Sequence, residues 1–101
     1  SGQISYTTEI IMVIKAVLPD FAITWKNFSL PIFAEVSCIA TARNSTATIS
    51  NINFNVHAHD VDFNDRLAKY LLKKYHHSIA FKIEVDLLLT KEFKQKLSEK
   101  Q

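Results

Sequence analysis

Glycine is nearly missing from this chain: among 101 residues the only one is Gly2, directly after Ser1. Gly-rich phosphate loops, dinucleotide fingerprints and the nucleophile elbow of hydrolases all need glycine, for a positive φ or for close approach of backbone to ligand. Those signatures are therefore excluded. The opening "SG" reads as a cloning remnant over residues 1–2, which would leave the native stretch without any glycine. Cysteine is equally scarce. Cys38 stands alone, which rules out an intrachain disulfide and a multi-cysteine zinc cluster. Charge of one sign is not in excess either: 12 Lys and Arg against 10 Asp and Glu leave +2, too little to name a polyanion as partner. Nor is there a long apolar run. The stretch Ile10 to Leu18 is about half of the roughly 20 residues that a membrane-spanning helix needs, and Lys15 interrupts it.

What is present, 48% hydrophobic and 22% charged residues, suits one globular domain over residues 1–101 with one core. The missing start methionine and the charged ending "TKEFKQKLSEKQ" suggest a domain excised from a larger protein. Sequons at Asn27 and Asn44 are close to chance in a chain with six asparagines, so they assign no compartment.

Along the chain, "ISYTTEIIMVIKAVLP" (4–19) fits two periods. The helical reading, with a threonine cap, Glu9 in the first turn and Pro19 as the stop, is preferred over a strand. "FAITWKNF" (21–28) alternates as a strand. "IFAEVSCIATAR" (32–43) is a second strand, and "RNSTA" is a turn in which Asn44 can take the left-handed conformation that glycine usually supplies. "SNINFNVHAHD" (50–60) returns with Ile52, Phe54, Val56 and Ala58 facing in, and Asn51, Asn53, Asn55, His57 and His59 facing out. Residues 32–59 thus read as an antiparallel hairpin. A helix is expected over 62–77, capped by Asp62, with Phe63, Leu67, Tyr70 and Leu71 as its apolar stripe. "SIAFKIEVDLLL" (78–89) alternates as a strand, with Ile79, Phe81, Ile83, Val85 and Leu87 inward, and Thr90 caps a short charged helix or tail over 90–101. The expected class is α+β: an antiparallel sheet of three to four strands, with the 62–77 helix on one face.

Three clusters could carry chemistry. His57 and His59 point the same way on a strand, as two ligands of an ion would, yet a metal needs three or four, and the spacing brings no others to them; both simply continue the asparagine column. Lys73, Lys74, His76 and His77 could hold phosphate, but they also sit where a helix dipole favours cations. Cys38 falls on an apolar face, where a thiol packs inertly. No carboxylate pair has a reason for separated pKa values. Hence no catalytic, cofactor or metal residue is assigned, and no enzyme is expected.

The remaining signal is apolar residue in excess of one core. Phe33, Ile39 and Leu88 fall on the otherwise polar sides of their strands, Trp25 and Phe28 sit on opposite sides of theirs, and the five form the candidate interaction surface. They point to a non-enzymatic interaction or assembly module that pairs through a sheet edge or a second apolar face, with itself or with a protein partner. The alternative is a domain for a small apolar or lipid-like ligand held between sheet and helix; nucleic acid and a histidine-held metal rank lower. No stretch is specific enough to name a family.

Overall fold

The computed structural model describes residues 8–19, 22–25 and 28–100, with backbone alone over 22–25 and at 28 and 30. Strands β1 (Glu9–Val17), β2 (Ala22–Trp25), β3 (Phe28–Pro31), β4 (Ala34–Arg43) and β5 (Thr46–Val56) precede helices α1 (Val61–His77) and α2 (Ile79–Glu99). β1, β4 and β5 form an antiparallel three-stranded sheet in the order β1-β4-β5, and β2 and β3 form a separate antiparallel pair. The class is α+β with an antiparallel sheet.

The hairpin of β4 and β5 forms as the alternation requires. Ala34, Val36, Cys38 and Ala40 are buried on one side of β4, and the turn between Arg43 and Thr46 holds only Asn44 and Ser45. Asn44 has φ 57°, the conformation that a short connection asks of glycine. A second asparagine does the same inside β5. Asn51 has φ 55°, and the register steps from Ser37 opposite Asn53 to Ile39 opposite Ser50, so Asn51 and Ile52 together oppose Cys38. This is a β-bulge, and it changes which residues face in. Below it Ile52, Phe54 and Val56 point to the core; above it Ile49 does. The expected polar column therefore begins at Asn53: Asn51 belongs to the bulge.

Four expectations about elements are corrected. Residues 21–28 are not one strand: β2 ends at Trp25, and Phe28 opens β3, its antiparallel partner. Residues 9–17 are a strand, because Ile14, Ala16 and Leu18 are buried in alternation with exposed Val13, Lys15 and Val17; the β-branched density outweighs Glu9 and Pro19 as helix signals. Residues 4–7 lie outside the described residues. The stretch 78–89 is not a strand, and no separate helix starts at Thr90: α2 runs unbroken from Ile79 to Glu99. The period that decides is four, with Phe81, Val85, Leu89 and Phe93 buried, whereas Ile79, Ile83 and Leu87 are 78%, 52% and 66% exposed. Finally, α1 is capped by Asp60, not Asp62. The Asp60 carboxylate accepts from the Phe63 N–H at 2.8 Å, and the Asn64 side chain accepts from the N–H groups of Ala58 and His59 at 3.0 and 2.9 Å, tying the strand exit to the first turn. Tyr70 is 57% exposed, and Tyr75 takes its expected place in the buried stripe with Leu67 and Leu71.

One residue, Ser78, separates the helices. Its N–H donates to the Lys74 carbonyl at 2.8 Å and its hydroxyl accepts from the Phe81 N–H at 3.3 Å, so it ends α1 and begins α2. The buried residues of sheet and helices form one core cluster. Burying a side chain of Leu or Phe size stabilises by about 1.5–3 kcal/mol, and Leu71, Leu89 and Phe93 are at most 1% exposed within it. Cys38 is inside this cluster, and burial, followed by the nearby Asp86 charge, pushes its thiol pKa up. That thiol is packing.

Candidate interaction surface

Strand alternation that buries one side of β1 and β4 exposes the other. On β1 the outward residues are Glu9, Ile11, Val13, Lys15 and Val17, of which the three aliphatics are 63%, 67% and 51% exposed. Val13 pairs directly with Ile39 of β4, Ile11 with Thr41 and Val17 with Glu35. Beyond β4 the face turns polar: Ser37 is opposite Asn53, and Glu35 opposite Asn55. The open side of the sheet is thus aliphatic along β1 and amide-rich along β5.

The five expected surface residues do not all share this face. Ile39 lies on it, half-buried beside Val13. Phe33 lies at its lower end, 50% exposed, with its ring 5.7 Å from that of His57. Leu88 lies on α2 and packs against the core cluster from the other layer. The side chains of Trp25 and Phe28 lie outside the described residues. Sequence reasoning missed Ile11, Val13 and Val17, which the helical reading of 4–18 had dispersed around a cylinder. The signal available was the alternation of the same segment, which puts all three on one side.

The two histidines separate. His57 Nε2 is 3.3 Å from Glu35 Oε1, while His59 Nδ1 is 3.0 Å from Asp60 Oδ2 and its ring lies 5.7 Å from that of Phe63. Among the described residues no group of three or more His, Cys, Asp and Glu is placed to hold a metal ion. The Asp60 carboxyl is held below its ordinary range, chiefly by the Phe63 N–H and further by His59. The basic cluster sits in the helical layer. Lys74 reaches over the Phe81 ring, 4.7 Å from its centre, and Lys73, His76 and His77 are exposed.

Two further features belong to the helices. Ile79, Ile83 and Leu87 recur every four residues and so form an exposed aliphatic row on α2. A groove of about 550 Å³ runs between the end of β1 and α2, lined by Leu18, Phe81, Val85 and Leu88 with Lys74 and Lys91. Among the described residues no helix is long and apolar enough to cross a membrane.

Compared with protein-family models, with curated proteins and with solved structures, the chain matches none.

Proposed function

We propose that this chain is a non-enzymatic interaction or assembly module that docks along β1, through the edge of its sheet and the aliphatic row beside it. The observation that carries the reading is the row Ile11, Val13 and Val17, continued by Ile39 on β4, on an edge strand. Edge strands offer unpaired backbone groups, and contiguous exposed aliphatics mark surfaces that another chain covers. Main-chain pairing would supply affinity, and the alternate side chains specificity.

Sedimentation velocity from 5 to 500 µM tests the reading, with two polar variants beside the wild type: Ile11→Thr with Val13→Thr, and Ile83→Gln with Leu87→Gln. The expected result is concentration-dependent association of the wild type that the β1 variant abolishes. Identical monomers for all three proteins across the range would overturn the assembly reading.

A second reading, a domain for a small apolar or lipid-like ligand, rests on the groove beside Leu18, Phe81 and Leu88. Lys74 and Lys91 at its walls, which outnumber the one carboxylate there, Glu84, suit the acid end of a fatty acid. Saturable displacement of a fluorescent fatty acid, lost in Leu88→Asp, is its expected signature; no displacement at millimolar fatty acid rejects it.

A further inference from the structure

We infer that the partner of β1 is a second copy of β1, paired antiparallel about a two-fold axis at Met12, so that two sheets join into one of six strands. This rests on the assembly reading and names its partner and register. Three observations point to it.

The first is the direction of the backbone. The Leu18 N–H donates to the Ala34 carbonyl at 2.9 Å, and in an antiparallel pair alternate residues turn their N–H and C=O toward the partner strand. Even-numbered residues of β1 therefore bond to β4. Glu9, Ile11, Val13, Lys15 and Val17 aim theirs at the free edge. Among the described elements, β2 and β3 contact only each other, so neither lies along that edge.

The second is charge. β1 carries one acid near its start, Glu9, and one base near its end, Lys15; both are exposed and neither makes an ion pair within 4.0 Å among the described residues. Glu9 faces Arg43 on the β4 side. With the two-fold at Met12, Glu9 of each copy stands opposite Lys15 of the other, and the axis makes this happen twice. Shifting the centre by one residue, to Ile11 or Val13, sets Glu9 against Val13 or Val17 instead.

The third is the parity of the side chains. In the Met12 register odd residues oppose odd ones, so Ile11 meets Val13 of the other copy on the open face, and Ile10 meets Ile14 on the core side. The outward-aimed residues form the hydrogen-bonded pairs, and Met12 meets its own copy in a non-hydrogen-bonded pair. Backbone, charge and apolar side chains thus agree on one register. A lysine on an edge strand usually serves to keep other strands away; here Lys15 has a complementary acid in the copy itself.

The test combines charge reversal with cysteine scanning in the full chain. The wild type is expected to dimerise reversibly; Glu9→Lys and Lys15→Glu should each weaken the dimer roughly tenfold, because like charges directly opposite are unfavourable at two symmetric positions. The double variant E9K/K15E should restore it. In a Cys38→Ala background, Met12→Cys should cross-link to itself under mild oxidation faster than Ile11→Cys or Val13→Cys. Non-hydrogen-bonded pairs bring Cα atoms to about 4.5 Å, within disulfide reach. A dimer indifferent to both charge reversals, cross-linking fastest at residue 11 or 13, or lost only in the Ile83 and Leu87 variant would overturn this pairing and leave the assembly reading standing. A monomer throughout would overturn both.

Discussion

The Tyr75 hydroxyl, on α1, donates a 2.6 Å hydrogen bond to Asp86 Oδ1, on α2. Lys82 completes the link, donating at 3.0 Å both to the Tyr75 oxygen and to Asp86 Oδ2, with its ammonium 4.7 Å from the centre of the Tyr75 ring. The phenol is inside the core and the charges are at its border, so the helices are joined by an apolar stripe with a polar end. Removing only the hydroxyl, Tyr75→Phe, leaves the Lys82–Asp86 pair and should cost about 1 kcal/mol. Tyr75→Ala also removes the ring and should cost about 3–5 kcal/mol. Urea unfolding followed by circular dichroism measures both; equal losses would mean that the ring contributes nothing.

Alkaline pH should weaken the same link. Burial and the Asp86 carboxylate raise the Tyr75 pKa, and the bonds to Tyr75 and Asp86 raise that of Lys82. A group whose pKa is raised on folding contributes fully below its unfolded value and loses the contribution as pH climbs through the folded one. Stability should therefore fall above about pH 10, and fall less in Tyr75→Phe. Thermal melts from pH 8 to 11.5 report this, and tyrosine absorbance should show a phenol that ionises above the ordinary tyrosine value and is lost in Tyr75→Phe.

At the other end of the pH scale Asp60 links the cap of α1 to acid. Its pKa is lowered by the Phe63 N–H that it caps, so its contribution is present above the unfolded carboxylate value and disappears as pH falls through the folded one. Asp60→Asn keeps an N-cap acceptor but cannot titrate. Its melting temperature is expected to depend less on pH than the wild type's between pH 5 and 2. Asp60→Ala should be less stable than Asp60→Asn at pH 7.

The bulge makes a prediction about Asn51. A left-handed conformation costs an ordinary L-residue about 1–2 kcal/mol and glycine almost nothing. Asn51→Ala should therefore destabilise by about that amount, and Asn51→Gly should be neutral or slightly favourable. If the two variants unfold at the same urea concentration, the positive φ of Asn51 is not a constraint.

Zinc is expected to have little effect. His57 and His59 have separate carboxylate partners, Glu35 and Asp60, and only an ion bound tightly by the native state raises the melting temperature. Micromolar zinc should leave the melting temperature of the wild type and of His57→Asn with His59→Asn alike. A stoichiometric shift that needs both histidines would establish a metal site.

How far the sequence could be read depended on whether one period dominated. β4, β5 and α1 could be read because Val36, Cys38 and Ala40, or Leu67 and Leu71, repeat at one spacing only. In α2 the apolar residues are at spacing two and spacing four together, Ile79, Phe81, Ile83 and Val85 being a strand by the first and half a helix by the second. Length should have weighed more there, since neither glycine nor proline interrupts the stretch from Ile79 to Glu99. β1 failed for the opposite reason: local propensity was balanced, and pairing with β4 decided it. Ile39 could be placed on the open face because it breaks the polarity of β4, and Phe33 just before that strand follows the same alternation; Ile11, Val13 and Val17 were dispersed when their strand was read as a helix. The bulge at Asn51 has no local signature beyond an asparagine, and it takes Asn51 out of the polar column, which begins at Asn53.

The short joints have a consequence for the order of folding. Two residues connect β4 to β5 and one connects α1 to α2, so from Ala34 onward neighbouring elements meet with little loop entropy. β1 is different: it must reach β4 across the β2–β3 excursion, and it also packs against α2 near the far end of the chain. We predict that it docks last, onto a hairpin and helix pair already formed, and that its amides gain protection after those of β4 and β5 in pulse-labelled hydrogen exchange. Earlier protection of β1 would refute that sequence. Until β1 arrives, the strand waiting for it is the inner edge of β4, and a β1 from a neighbouring chain fits there as well as its own. The same segment that completes the monomer would then be the one through which two nascent chains exchange strands.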